Sequence, residues 1–498
     1  MSGVLIALVT VGLAAALVSL VVPVSVGRVV SVVAGLACFG LALVLVPAAA
    51  NRTVGTGFLR ADALSGVFVL TVGFLYAATT VYTVGYLRAQ AHEDGHRCRT
   101  RLLWCGLNLF CWAMLAAPLM SGLALLWIAI EVTTVVSALL VAIDDTDGAA
   151  EASWKYLLIA SAGLGVALFA TIIIYYAGAR VLGEGLGLGI GQLIHAGLAL
   201  PAGAVRLSFV LATLGFGTKM GLVPVHTWLP DAHAEAPAPA STLLSGGLLA
   251  VSFYAILRYY QITSAAVGAS FGRTVLLAFG IASLLLAALV LLDQHDIKRL
   301  LAYSSVEHMG ILAMAIGFGA PIAAAGAMLH VLAHAAAKSC AFFGAGTMSA
   351  LYRTRDIGRI RATLDRLPLT APMFLLAVLA LSALPPFGIF RSEFMIVAGG
   401  LASPSKAPAA ILVLLTTLAF LGLSFVTTRM SFESGTDAHA SAAHGLGPGA
   451  MRARREPSVW LVAPMVAGLI ALLVLGIHPP GPLQQLLHQA AAELGARP

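Results

Sequence analysis

Apolar residues run through this chain in blocks of about twenty, separated by short polar, glycine-rich or proline-rich breaks. A helix needs roughly 20 apolar residues to cross a hydrocarbon core. The pattern predicts about fourteen such helices, over 3–25, 29–49, 63–86, 102–119, 121–143, 153–178, 206–228, 240–260, 272–292, 300–319, 321–349, 368–400, 408–428 and 458–477. A glycine-rich loop is expected over 179–205, a polar loop over 430–457, and a short tail after the last helix. The first block lacks a basic leading region and a convincing cleavage site, so it reads as a retained helix. The expected fold class is an all-α integral membrane protein.

Two helices carry breaks. Helix 7 contains Gly215, Gly217, Gly221 and Pro224, and helix 12 contains Pro385, Pro386 and Gly388. Proline removes a backbone donor and clashes with the preceding turn. Such breaks survive in lipid only where protein or trapped water satisfies the freed groups. They lie five helices apart, which fits two inverted five-helix repeats, the plan of many transporters. The chain then divides into N-terminal helices (1–101), a first repeat (102–260), a second repeat (261–430) and a loop, final helix and tail (431–498).

Composition sharpens the picture. Only 10% of the 498 residues are charged and 60% are hydrophobic, against about 25% charged in soluble domains. The net charge of +7 sits in short loops, so lipid is the expected partner and nucleic acid is not. Loops after odd-numbered helices hold seventeen of the 28 Lys and Arg residues, the other loops eight, and three lie within helices. By the positive-inside rule the odd loops are cytoplasmic and both termini lie outside, in a bacterial plasma membrane. The five cysteines show no metal-ligand spacing. They read as packing residues, and no cofactor is expected.

Against so apolar a background, ionisable residues inside helices stand out. Glu131 lies near the centre of helix 5 and Lys219 at the break of helix 7. At about 4 Å and an effective dielectric of 20, such a pair would gain about 4 kcal/mol. The pair is either a switchable proton site or a static tie between helices. His330, His334 and Lys338 recur at steps of four, so they share one face of helix 11 with about 40° of drift per step. Histidine passes protons readily near neutral pH. Two His at that spacing could also hold zinc, but no third ligand is evident nearby, so no metal is expected. Glu393 follows the break of helix 12 and is placed for an exit towards the outside, with Arg391 on a different face. Glu307 and His308, near the expected cytoplasmic start of helix 10, are further relay candidates or structural groups beside Lys298 and Arg299. His226 and Asp231 lie in a proline-fixed connection that could serve as proton entrance, metal site or rigid linker.

The segments W-I-A-I-E (127–131), T-K-M-G-L-V-P-V-H-T-W-L-P-D-A-H-A-E-A-P-A-P-A-S (218–241), I-K-R-L-L-A-Y-S-S-V-E-H-M-G (297–310), H-V-L-A-H-A-A-A-K-S (330–339) and R-S-E-F-M (391–395) carry a resemblance. The chain resembles the antiporter-like membrane subunits of respiratory complex I and of energy-converting membrane-bound hydrogenases, over roughly 60–430. The nearest likeness is to the F component of the hydrogenase-4 and formate hydrogenlyase type. The resemblance implies fourteen helices and two inverted repeats. It implies a proton relay of Glu131, Lys219, His330, His334, Lys338 and Glu393, in a redox-driven complex whose other membrane and peripheral subunits hold the redox chemistry. One departure stands out: where many members carry a helix-8 lysine, this chain has Ala250, so the link would run through water, Ser252 or Tyr254, or be broken. The chain ends about twenty residues after helix 14, unlike the largest complex I member with its long lateral helix. The rival readings are an Mrp-type antiporter subunit, which would move sodium as well as protons, and a structural anchor with a dead relay.

Overall fold

The computed structural model describes residues 1–89, 96–183, 188–404, 406–432 and 458–495, with side chains from 99 onward in the second stretch. The polar loop expected over 430–457 lies almost wholly outside them. The described residues are nearly all helical, with one addition. After α1 (Ser2–Val21) and α2 (Val24–Asn51) comes a small antiparallel hairpin of β1 (Val54–Thr56) and β2 (Leu59–Ala61). Next are α3 (Ala63–Ala89), α4 (His96–Ala116), α5 (Leu123–Val141) and α6 (Asp147–Leu182). The glycine-rich loop contains a short helix, α7 (Ile190–Ala196).

Next come α8 (Ala202–Met220), α9 (Trp228–Glu235), α10 (Ala238–Leu243), a π turn (Leu244–Leu248) and α11 (Leu249–Val267). The linker expected around His226–Ser241 is therefore largely helical. The second half contains α12 (Ala269–Val290), α13 (Ile297–Phe318), α14 (Pro321–Tyr352), α15 (Thr363–Arg366), α16 (Thr370–Leu381), α17 (Gly388–Leu401) and α18 (Ala407–Phe432). The described chain ends in α19 (Val459–Ile477) and α20 (Gly481–Glu493), the latter lying within the expected short tail.

Eleven helices among the described residues are long and apolar enough to cross a membrane. They sort into two kinds. Ala238–Val267 is buried along its whole length, and Ile297–Phe318 and Ala63–Ala89 nearly so. By contrast, α1, α2, α6, α12, α18 and α19 bury only about a third of their residues. The surface of those helices is itself apolar, with Leu17, Leu158, Ile172 and Leu414 each more than half exposed. A soluble protein would not present such a contiguous apolar surface; a lipid solvent favours it.

Both expected breaks are present. At the end of α8, Gly221 has φ +83°, a left-handed conformation that glycine adopts without the penalty of a Cβ. The Leu222 N–H turns back to the Gly217 carbonyl at 2.8 Å, and Pro224 bars a further turn. The second break separates α16 from α17 at 382–387.

The side of the bundle carrying β1 and β2 holds a buried ionic cluster. Asp62 accepts from Arg258 of α11 at 2.6 Å and from the Ser65 N–H at 2.9 Å, so one carboxylate pairs with the guanidinium and caps α3. Glu493, at the end of α20, accepts from the Ala63 and Leu64 N–H groups at 3.1 Å each. Arg258 is thus a buried helix residue and not a loop charge. Removing it leaves seven Lys and Arg residues on its side against seventeen, which widens the asymmetry.

Candidate functional site: two buried polar clusters

Two polar clusters lie inside the bundle. The first centres on Lys219, the second-last residue of α8, which is wholly buried. Its Nζ donates to the Tyr156 hydroxyl at 2.5 Å and lies 4.8 Å from the centre of that ring. Tyr156 is held from two sides. Its hydroxyl meets Ser137 Oγ at 2.6 Å, and its ring packs on Trp228 at 4.4 Å. Trp228 in turn donates Nε1–H to the Thr218 carbonyl at 2.7 Å, tying α9 to the end of α8.

The expected direct pairing of Glu131 with Lys219 is absent. No ion pair joins them among the described residues, and Glu131 accepts only a long bond from Ser161 Oγ at 3.5 Å. The reason lies in the helix order. Glu131 is on α5 and Lys219 on α8, while α6 packs against both and supplies Tyr156 and Ser161. Tyr156 was not singled out from the sequence, because nothing local marks a tyrosine in an apolar helix as a lysine's partner.

The second cluster spans α13, α14 and α17. Lys338 donates to the Leu301 carbonyl and to Ser304 Oγ, both at 2.8 Å. His308 Nδ1 lies 3.1 Å from His330 Nε2 and 4.0 Å from Glu393 Oε1. His330 Nδ1 meets Ser392 Oγ at 2.9 Å. The His334 ring sits 5.0 Å from that of His308 and 6.3 Å from that of His330. All three histidines are buried, and Glu307 Oε2 is buried without a hydrogen-bond partner.

Placing Glu307 and His308 near a cytoplasmic helix start is corrected. Because α13 begins at Ile297 and runs to Phe318, these residues sit halfway along it. Lys298 and Arg299 face elsewhere: Lys298 donates to the Ala234 and Ala236 carbonyls at 3.4 and 2.8 Å, and Arg299 pairs with Asp231. Arg391 does point away from Glu393, donating to the Ile477 carbonyl at 3.2 Å.

Asp231 is held in ion pairs with Arg299 and with Lys155 at 3.4 Å, at a half-buried position. That clamps α9 to α6 and α13. His226 is buried, with its ring set edgewise to that of Tyr303. His233, two residues beyond Asp231, escaped the sequence reading. It is wholly buried, stacks on Phe342 of α14 at 5.2 Å, and neither ring nitrogen has a partner.

Ala250 is buried in α11, as a helix-8 residue should be. The suggested substitutes do not face the gap. Ser252 Oγ bonds to its own helix at Leu248, and the Tyr254 hydroxyl turns to the Pro118 carbonyl and Ser65. A different residue reaches across. Ser245, in the π turn before α11, meets Ser305 of α13 at 2.8 Å, one residue from the Ser304 that holds Lys338. π turns inside helices occur frequently at functional sites. Among the described residues no side-chain hydrogen bond joins Lys219 to Ser245.

Comparison with known proteins places this arrangement. Residues 120–422 match the family model described as the transmembrane region of NADH:quinone oxidoreductase and Mrp antiporter proteins. The matched stretch contains every residue of both clusters. This chain belongs to that family. It is 35% identical over 434 residues to the hydrogenase-4 component F homolog of Methylacidiphilum infernorum, covering 85% of this chain and 86% of the relative. It is 30% identical to NADH-quinone oxidoreductase subunit N of Desulforudis audaxviator, covering 84% and 81%. Among solved structures, a chain of an archaeal respiratory membrane complex, the membrane-bound sulfane sulfur reductase, superposes with a TM-score of 0.85. That match covers 99% of this chain and 98% of the other at 20% identity. That chain, like others of this fold, is a subunit of a multi-subunit membrane complex.

Proposed function

We propose that this chain is the proton-translocating membrane subunit of a redox-driven multi-subunit complex of the membrane-bound hydrogenase or complex I class. In this reading α8, α14 and the broken α16–α17 pair join the eleven long apolar spans to make fourteen crossings in two inverted repeats, with both termini outside. The observation that carries the function is the second cluster. Six ionisable groups from Glu307 to Glu393 sit in three adjacent helices of an apolar bundle. His308 and His330 lie within hydrogen-bond reach of each other at 3.1 Å, the His334 ring sits 5.0 Å from that of His308, and His308 is 4.0 Å from the half-buried Glu393 carboxylate. Burying so many titrating groups in a membrane is expensive, and a proton path is the usual reason for it.

Lys219 supplies the first-half site, with Tyr156 in place of a direct acid partner. Protons pass from Lys338 through the histidines to Glu393. The Ser245–Ser305 contact supports a polar link between the halves where Ala250 offers none, which speaks against a dead anchor. Redox chemistry belongs to the partner subunits.

Lys219→Arg tests the reading. Arginine keeps the charge but does not release its proton in a protein. The variant is expected to assemble, retain at least part of the partner redox activity, and lose proton translocation in reconstituted vesicles. Full pumping by this variant would show that Lys219 need not deprotonate.

A further inference from the structure

The sequence offered no third metal ligand beside His330 and His334, but the tertiary structure supplies a different triad. His308 Nδ1, His330 Nε2 and a Glu393 carboxylate oxygen, from three helices, all lie within 4.8 Å of one another.

The hydrogen bonds around the two imidazoles fix how they can be protonated. The Ser392 hydroxyl donates to the Ile389 carbonyl at 2.8 Å, so its oxygen accepts from His330. The N–H of neutral His330 therefore sits on Nδ1, and the Nε2 lone pair points at His308 Nδ1, 3.1 Å away. His308 Nε2 is buried with no partner. With its proton on Nδ1, His308 bonds to His330 but leaves a bare buried lone pair. With its proton on Nε2, it buries an unpaired N–H and sets two lone pairs face to face. A cation between the two rings removes the clash of lone pairs in the second arrangement.

We propose that His308, His330 and Glu393 form a binding site for a divalent transition metal of the zinc type, one whose occupancy would plug the path through the second cluster. Two imidazoles and a carboxylate, with a fourth position open, are a familiar zinc ligand set. Bonds of about 2.0–2.2 Å at tetrahedral angles require ligand atoms roughly 3.3–3.6 Å apart. The imidazole nitrogens are already close to that at 3.1 Å, and the Glu393 oxygen must close in on His308 from 4.0 Å. Ser392 has the position of an outer partner, accepting the second ring proton of a ligating histidine as such partners do. Access runs past Glu393, whose side chain is 13% exposed while His308 is sealed.

The test is metal binding by the full chain, purified with its co-purifying subunits and stripped by a chelator, so a failure of the proton reading would not affect it. Zinc titration against a competing chelator, with zinc-edge X-ray absorption, should give one ion per chain ligated by two imidazoles. His308→Gln and His330→Gln should each weaken affinity by more than about 100-fold, and Ser392→Ala by roughly 10–100-fold. His195→Ala and His295→Ala, at exposed sites, should change nothing. No uptake of zinc, or uptake indifferent to both His308→Gln and His330→Gln, overturns the proposal. Should the histidine variants fail to fold, an unchanged affinity in Ser392→Ala overturns it alone.

Discussion

Tyr156→Phe is the perturbation that the first cluster recommends. A charge at a helix centre in lipid costs about 2.5–3.5 kcal/mol on insertion scales. Lys219 meets that cost without a carboxylate in contact. A hydrogen bond from a charged donor is worth about 1.5–3 kcal/mol, and a lysine in the last turn of a helix gains about 0.3–1 kcal/mol from the macrodipole. Together these roughly cover the cost. Phenylalanine keeps the ring and its packing on Trp228, and removes only the hydroxyl. Ser137 loses little, because its Oγ still bonds to the Thr133 carbonyl at 2.5 Å. The charged lysine is then left short by the hydrogen-bond energy, about 1.5–3 kcal/mol, or roughly 10- to 100-fold in a rate that depends on it. The assay is proton uptake by reconstituted vesicles, normalised to assembled complex. If Tyr156→Phe assembles and pumps at the full rate, Tyr156 does not set the charge of Lys219 and the energetic reasoning is wrong.

Three further outcomes are expected. Asp62→Asn should lower stability by about 3 kcal/mol, because Arg258 stays buried and loses its ion-pair partner while keeping its bonds to Gln261 and Ser65; unfolding in detergent measures this. Burial pushes the Asp62 carboxyl up, but the Arg258 guanidinium outweighs it and holds the group down at about 2. The contribution is therefore present above the ordinary carboxylate range and lost only as pH falls through about 2, so a stability loss between pH 5 and 7 would have another source. Cysteines introduced at Arg359 and Arg180, both exposed, should label from opposite faces of the membrane; labelling from one face removes the fourteen-crossing topology. Ser245→Ala should leave assembly unchanged and slow proton transport severalfold, whereas Ser252→Ala should not; equal rates in both would deny the π turn a part in linking the halves.

The sequence by itself determined the membrane class, most helix positions and both breaks. Those properties are local: twenty apolar residues in a row, or a Pro–Pro pair inside them, have the same consequence in any surroundings. It also picked out the ionisable residues of the two clusters, though not Asp62, His233 or Arg258, because a Lys or Glu in an apolar run is conspicuous without any knowledge of neighbours. The spacing of His330, His334 and Lys338 placed them on one face for the same reason. Partnership was another matter. Glu131 and Lys219 look like a pair in one dimension, and only the packing of α6 between α5 and α8 hands Lys219 to Tyr156. His308 seemed peripheral until the true start of α13 moved it to mid-helix and α14 and α17 brought His330 and Glu393 to it. Ser252 and Tyr254 closely follow Ala250 in the chain, yet the helix turns both away, and a π turn aims Ser245 across the gap instead. Apolar periodicity says which residues leave water, but a buried polar group takes whatever partner the neighbouring helices bring within about 3 Å, and that is decided by helix packing alone.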